Sequence, residues 1–164
     1  MTIILKNKET LQFDKFKFKC SIGKNGLKKR KTEGDFSTPK GTFEIENLYF
    51  RNDRIKKPET RLKCIKIKKN MGWCNDTKNK IKYNRIINID NDTKCEKLYR
   101  NDNKYNLFIP IKYNFRKPKI GKGSAIFIHL TNNYKFTAGC IALKKNDLLI
   151  LLRLINKKTK IKIG

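Results

Sequence analysis

The sequence predicts a mainly β fold with one helix late in the chain, and three features point to it. Short runs at 16–22, 42–45, 62–67 and 159–163 alternate apolar with polar residues, the period of a half-buried strand. The runs 107–111 and 124–128 are apolar enough to read as core strands. Only 147–155, Asp-Leu-Leu-Ile-Leu-Leu-Arg-Leu-Ile, reads clearly as a helix.

Taken in order, the first strand carries Phe16, Phe18, Cys20 and Ile22 on one side, after Phe13, and Gly23-Lys24-Asn25-Gly26 ends it. Residues 27–42 are polar and rich in turn signals, among them Gly34-Asp35 and Thr38-Pro39-Lys40-Gly41, so Thr38 and Pro39 are expected to shape a turn. Thr42-Phe43-Glu44-Ile45 and Leu62–Ile67 follow as strands. Residues 70–106 are crowded with Asn, Asp and Lys, with apolar patches at Ile86-Ile87 and Leu98-Tyr99. They read either as a flap or long insertion over a cleft or as plain surface loop, and both readings stand open. Gly121-x-Gly123 leads into the strand at 124–128. Asn146 or Asp147 is the expected helix cap, accepting bonds from the first free backbone N–H groups. Thr159–Ile163 alternates and would close the sheet. With no internal repeat and no linker, 164 residues suit a single domain spanning 1–164.

Hydrophobic residues make up 38% of the chain, enough for a core despite a mean hydropathy of -0.70. The formal charge of +27 has two explanations: drift toward Lys, Asn and Ile throughout, or attraction to a polyanion. The lysines are spread rather than gathered, which favours the first, although Lys28-Lys29-Arg30-Lys31 is locally dense. No nucleic-acid-binding motif stands out, so no specific nucleic-acid partner is expected. The five cysteines are an odd number without a Cys-x-x-Cys, and there is one His, which leaves little for a four-ligand zinc site. No metal and no cofactor is therefore expected. Scattered free thiols suit a reducing compartment, and Cys20, Cys64, Cys74 and Cys95 are assigned to packing. The apolar run within Met1–Lys6 is too short for a signal sequence, and no segment reaches the length of a membrane span. The sequence thus reads as soluble, unexported and without an integral membrane segment.

The chemistry-bearing stretch is 123–143, Gly-Ser-Ala-Ile-Phe-Ile-His-Leu-Thr-Asn-Asn-Tyr-Lys-Phe-Thr-Ala-Gly-Cys-Ile-Ala-Leu. It sets His129, the chain's only histidine, at the end of an apolar strand, and Cys140 after Ala138-Gly139 in a turn that leads toward the helix. A thiol becomes a strong nucleophile when a neighbouring imidazole favours the thiolate. Gly139 lets the backbone approach a substrate carbonyl, and N–H groups around Cys140 would stabilise an oxyanion. Types and spacing alone leave an inert core cysteine and a structural histidine as open alternatives, since contact across eleven positions depends on the fold.

Thr137-Ala138-Gly139-Cys140 with His129 upstream resembles the active-site signature of the L,D-transpeptidase catalytic domain family, the YkuD type: a His, a gap, then Ser/Thr-His-Gly-Cys. Three further blocks agree in order. Glu33-Gly34-Asp35-Phe36-Ser37-Thr38-Pro39-Lys40-Gly41-Thr42-Phe43 resembles the family's Gly-Asp…Thr-Pro-x-Gly-x-Phe segment. Met71-Gly72-Trp73-Cys74 with Tyr83-Asn84-Arg85, and Gly121-x-Gly123-Ser124-Ala125-Ile126-Phe127-Ile128-His129, look like a branch whose cysteine motif reads Thr-Ala-Gly-Cys. The resemblance runs from about residue 20 onward and implies an L,D-transpeptidase-like β-sandwich or barrel with one helix after the cysteine.

It also implies a two-step acyl transfer on peptidoglycan stem peptides. Cys140 would attack the carbonyl before the terminal D-residue, His129 would act as the base, and the Leu130 carbonyl would orient its ring. Gly139 and the Cys140 N–H would belong to the oxyanion region, with Thr137 beside the substrate. Trp73, Tyr83 and Arg85 are candidates to line the substrate cleft, Arg85 by pairing with a stem carboxylate. Transfer to an amine of a second stem makes a crosslink, and transfer to water makes the protein an L,D-carboxypeptidase. A non-catalytic basic module binding an anionic polymer is the remaining alternative. The implied substrate lies in the cell envelope or periplasm, whereas the sequence reads as unexported. Ala138 replaces the signature's second His, Ala142 stands where Asn or Arg often follows the Cys, and the gap from His129 to Cys140 is short, implying a trimmed loop.

Overall fold

In the computed structural model, which describes residues 1–164, β1 (Thr2–Leu5), β2 (Thr10–Phe13) and β3 (Phe16–Ser21) form an antiparallel meander. β4 (Leu27–Lys28) and β5 (Thr38–Pro39) pair as a short parallel ribbon. Then come β6 (Gly41–Glu44), β7 (Leu48–Phe50) and β8 (Cys64–Lys66), followed by β9 (Met71–Cys74), β10 (Ile86–Asn88) and β11 (Cys95–Lys97). The chain ends with β12 (Leu107–Pro110), β13 (Phe127–Leu130), β14 (Ile141–Leu143), α1 (Lys145–Leu154) and β15 (Lys160–Ile163). Ten strands build one sheet in the order β6-β15-β1-β2-β3-β14-β13-β12-β7-β8. β15 enters between β6 and β1, antiparallel to the first and parallel to the second. The protein is therefore mainly β with one helix, as the alternating runs predict.

Side-chain alternation on the central strands divides the interior in two. Leu48 and Phe50, Leu107 and Ile109, Ile128 and Leu130, and Ile141 and Leu143 join a large cluster that also takes Ile3, Leu5, Leu11, Phe18, Ile161 and Ile163 from the other half of the sheet. The sheet therefore folds over so that both halves cover one core, and the helix adds Leu148, Leu151 and Leu152 to it. The alternate residues Tyr49, Phe108, Phe127 and Cys140 point the other way into a second cluster with Trp73, Leu98 and Tyr105. Strands buried on both faces need unbroken apolar runs, which is why β12 and β13 lack alternation in sequence.

Three expectations shift. The helix begins at Lys145, with Lys144 at the cap position and no side-chain capping bond, so neither Asn146 nor Asp147 caps it. Asp147 lies in the first turn and Arg153 in the last, where their charges oppose the helix dipole. The core strand expected at 124–128 starts at Phe127, because Ala125 has φ +52° and leaves the extended region. His129 is thus inside the strand rather than at its end. Of the two readings open for residues 70–106, plain surface loop does not hold, and the insertion contributes to the wall of a cavity. These residues hold the antiparallel sheet β10-β9-β11, which packs on the second face of the main sheet with Trp73 edge-on to Phe127 at 5.0 Å.

Candidate active site

The site grows from the parallel pairing of β13 and β14, in which Ile128 is level with Ile141, His129 with Ala142 and Leu130 with Leu143. Level residues on neighbouring strands point to the same face about 4.8 Å apart, and alternation repeats every second residue. His129 and Ala142 therefore share a face, and Cys140, two residues before Ala142, shares it with them. The small side chain of Ala142 leaves room for the imidazole beside it. His129, Cys140 and Ala142 line one cavity of about 550 Å³.

Cys140 is 8% exposed. Its Sγ accepts from the Phe127 N–H at 3.3 Å and donates to the Ala125 carbonyl at 3.3 Å. Burial pushes the thiol up to about 12, with Glu96 adding to the rise, while the Phe127 N–H, Lys31 and Lys104 pull the other way. His129 Nδ1 lies 2.9 Å from the Leu130 carbonyl oxygen. A carbonyl can only accept, so Nδ1 carries the proton and Nε2 is left as the free base. Burial lowers the imidazole to about 4, the Leu130 carbonyl opposing this and Lys104 and Arg100 adding to it. Thiol and imidazole are therefore both neutral near pH 7, and no hydrogen bond yet joins them.

The backbone before Cys140 is tied down from two sides. Thr137 Oγ1 donates to the Cys140 carbonyl at 2.6 Å and accepts from the Gly139 N–H at 3.1 Å. Thr38, fully buried on β5, donates its hydroxyl to the Gly139 carbonyl at 2.8 Å and accepts from the Gly23 N–H at 2.9 Å. The Gly139–Cys140 peptide is planar, so anchoring its C=O on Thr38 turns the Cys140 N–H to the opposite side. That N–H has no hydrogen-bond partner within the chain. Gly139 has φ +142°, and a Cβ there would sit 2.7 Å from the Ser37 carbonyl oxygen, so only glycine fits.

The structure brings together Cys140, His129, Leu130 and Thr137 at the cavity wall, with Gly139 in the turn before Cys140. It does not bring Trp73, Tyr83 or Arg85 there. The Trp73 Nε1–H donates inward to Asn84 Oδ1 at 2.9 Å, and the Tyr83 hydroxyl donates to Glu33 while accepting from the Gly123 N–H at 3.2 Å. The Arg85 guanidinium donates to the Arg116 carbonyl at 3.2 Å and lies 5.6 Å from the Phe115 ring. These residues fasten the small sheet to the main one, and that engagement keeps them out of the cavity.

The wall that the small sheet and the segment after it do supply is polar: Glu96, Arg100, Asp102, Lys104 and Tyr105. The Tyr105 hydroxyl donates to Glu96, and its ring packs edge-on to His129 at 5.5 Å. Burial raises the Glu96 carboxyl, while Tyr105 and the nearby Arg100 oppose the rise. Lys31 and Glu33 complete the opposite wall. None of these was singled out as a site residue in the sequence. No group of three or more His, Cys, Asp or Glu side chains is placed to hold a metal ion, and no helix is long and apolar enough to cross a membrane.

Compared with known families, residues 1–163 match the model of YkuD, the L,D-transpeptidase catalytic domain. No curated protein matches the chain.

Proposed function

The chain belongs to the L,D-transpeptidase catalytic domain family, and on that premise we propose that residues 1–164 form one catalytic domain that acylates Cys140 with a peptidoglycan stem peptide and passes the acyl group to an amine. The observation that carries this reading is the shared face of β13 and β14, where the only imidazole and the thiol line one cavity beside an unpartnered Cys140 N–H.

In the first step His129 Nε2 takes the Cys140 proton and the thiolate attacks the carbonyl carbon before the terminal D-residue. The carbonyl oxygen becomes an oxyanion facing the Cys140 N–H. As it collapses, the C–N bond breaks, His129 returns its proton to the departing amine, and a thioester remains. In the second step an amine attacks the thioester, His129 accepts its proton and the thiol is restored. The Leu130 carbonyl holds the ring in the one tautomer that serves both steps.

Water in place of the amine would make the same machinery a carboxypeptidase. The test is intact-protein mass spectrometry after incubation with a carbapenem, alongside Cys140→Ala, followed by product analysis with stem peptides. An adduct mapped to Cys140 and missing from the variant is expected. Undiminished stem-peptide turnover by Cys140→Ala would remove the proposal. Crosslinked products would identify transpeptidation, and trimmed peptides alone would identify hydrolysis.

A further inference from the structure

Among the chain's many basic side chains, one is buried at the site. Lys31 is 3% exposed and is one of the residues lining the cavity that holds Cys140 and His129. Its stem lies against Gly123, where φ is +100° and a Cβ would come within 2.9 Å of Lys31 Cε, so glycine at 123 makes space for it. Its Nζ lies 3.5 Å from the point a Cβ on Gly139 would occupy, beside the peptide that precedes the nucleophile. Burying an ammonium is costly unless it is paired. Here Nζ donates to Asp35 Oδ1 at 2.6 Å and to the Thr32 carbonyl at 3.4 Å. An ammonium has three donors, so these bonds leave one in hand.

Asp35 does not line the cavity. It is held from behind by the Thr32 N–H at 2.9 Å and the Ser37 N–H at 3.0 Å, with the Lys28 ammonium at 3.6 Å. The pair therefore turns its positive end to the site. Of the other charges there, Lys104 also favours the thiolate. Glu33 is bound by the Tyr83 hydroxyl and by Ser124 Oγ at 2.8 Å, and Glu96 is bound by Tyr105. Lys104 and Arg100 approach from the segment after the small sheet, and His129 is neutral.

We propose that Lys31, aimed by Asp35, is a catalytic residue whose ammonium stabilises the Cys140 thiolate and the oxyanion formed at the Gly139–Cys140 peptide. It brings to this site, where Ala138 follows Thr137, a cation supplied from a distant part of the chain. Asp35 acts through Lys31 as a positioning residue. This deepens the acyl-transfer reading, but the thiol's reactivity can be measured without any stem peptide.

The test is the rate at which iodoacetamide alkylates Cys140, followed by peptide mapping at pH values between 7 and 9, where the thiol is mostly protonated and rate tracks thiolate fraction. Groups facing the thiol are Lys31, Lys104, Glu96, Tyr105 and His129, and only the first is changed. Lys31→Met is expected to slow alkylation about ten-fold at every pH, the effect of raising the thiol by about one unit, with Lys31→Arg restoring most of the rate. A merely structural loss would loosen the wall, expose the thiol and speed alkylation, so the direction discriminates. A folded Lys31→Met protein that alkylates as fast as the parent or faster overturns the proposal. Should that variant not fold, Lys31→Met with Asp35→Asn removes both charges at similar volume and is read in the same way. Absence of stem-peptide turnover by the parent, with the alkylation difference intact, would sink the peptidoglycan reading and leave this one standing.

Discussion

Replacing Thr38 with Val keeps volume and branching but removes a hydroxyl that bridges two buried backbone groups far apart in sequence, the Gly23 N–H and the Gly139 carbonyl. Each buried polar group left without a partner costs about 1–3 kcal/mol, so losing both bonds should cost about 2–6 kcal/mol. For a chain of this length that lowers the melting temperature by about 4–24 °C. The same bond fixes the plane of the Gly139–Cys140 peptide, so the freed Cys140 N–H should drift from the oxyanion position. Displacements of about 1 Å cost on the order of 100-fold in rate. Thermal melting and the rate of carbapenem adduct formation read the two effects separately. Thr38→Ser, which keeps the hydroxyl, should retain the rate while losing about 1 kcal/mol for the methyl. A Thr38→Val protein that melts within 1 °C of the parent and acylates at the same rate would mean that the hydroxyl neither stabilises the fold nor fixes that peptide.

His129 supplies an acid-sensitive component of stability. Its imidazole gains a proton near pH 6.5 when unfolded but only near pH 4 when folded. The unfolded chain therefore binds the extra proton between those values, and the contribution is complete above pH 6.5 and lost as pH falls toward 4. At pH 4.5 the loss should be about 2–3 kcal/mol; urea unfolding of His129→Asn should show a pH profile flatter by that amount, and parallel profiles would contradict it. Asn84 accepts from Trp73 Nε1 and the Ala125 N–H and donates to the carbonyls of Tyr113 and Asn114, so Asn84→Ala should cost about 3–5 kcal/mol in urea unfolding. A cost below 1 kcal/mol would mean that the small sheet is held by its apolar contacts alone.

Much of this was legible in order along the chain. Alternation at 16–22 and 159–163 announced strands, and Thr137-Ala138-Gly139-Cys140 with His129 marked residues that the fold brings to one cavity. Other elements were hidden for physical reasons. The helix cap was misplaced because the helix starts without a side-chain cap, so the usual polar signal marked its first turn instead. The strands at 71–74, 86–88 and 95–97 are short, and their stability comes from Trp73 and Leu98 burying against Phe127 and Phe108, which no local pattern records. Trp73, Tyr83 and Arg85 lie outside the cavity wall, since their hydrogen bonds point away from it.

The β period, the late helix and the presence of one imidazole upstream of a Gly-Cys turn can be read from the chain alone, because periodicity and residue chemistry are local properties. Which side of each strand faces the site, and which of the 41 basic residues is buried there, depends on the folded chain. Register across β13 and β14 puts Cys140 and His129 on one face, and burial leaves both neutral. Lys31 looks in sequence like any other lysine of the Lys28–Lys31 run, and becomes distinctive only once Gly123 and Asp35 enclose it. Charge acts through distance and desolvation, and both are set by the folded chain.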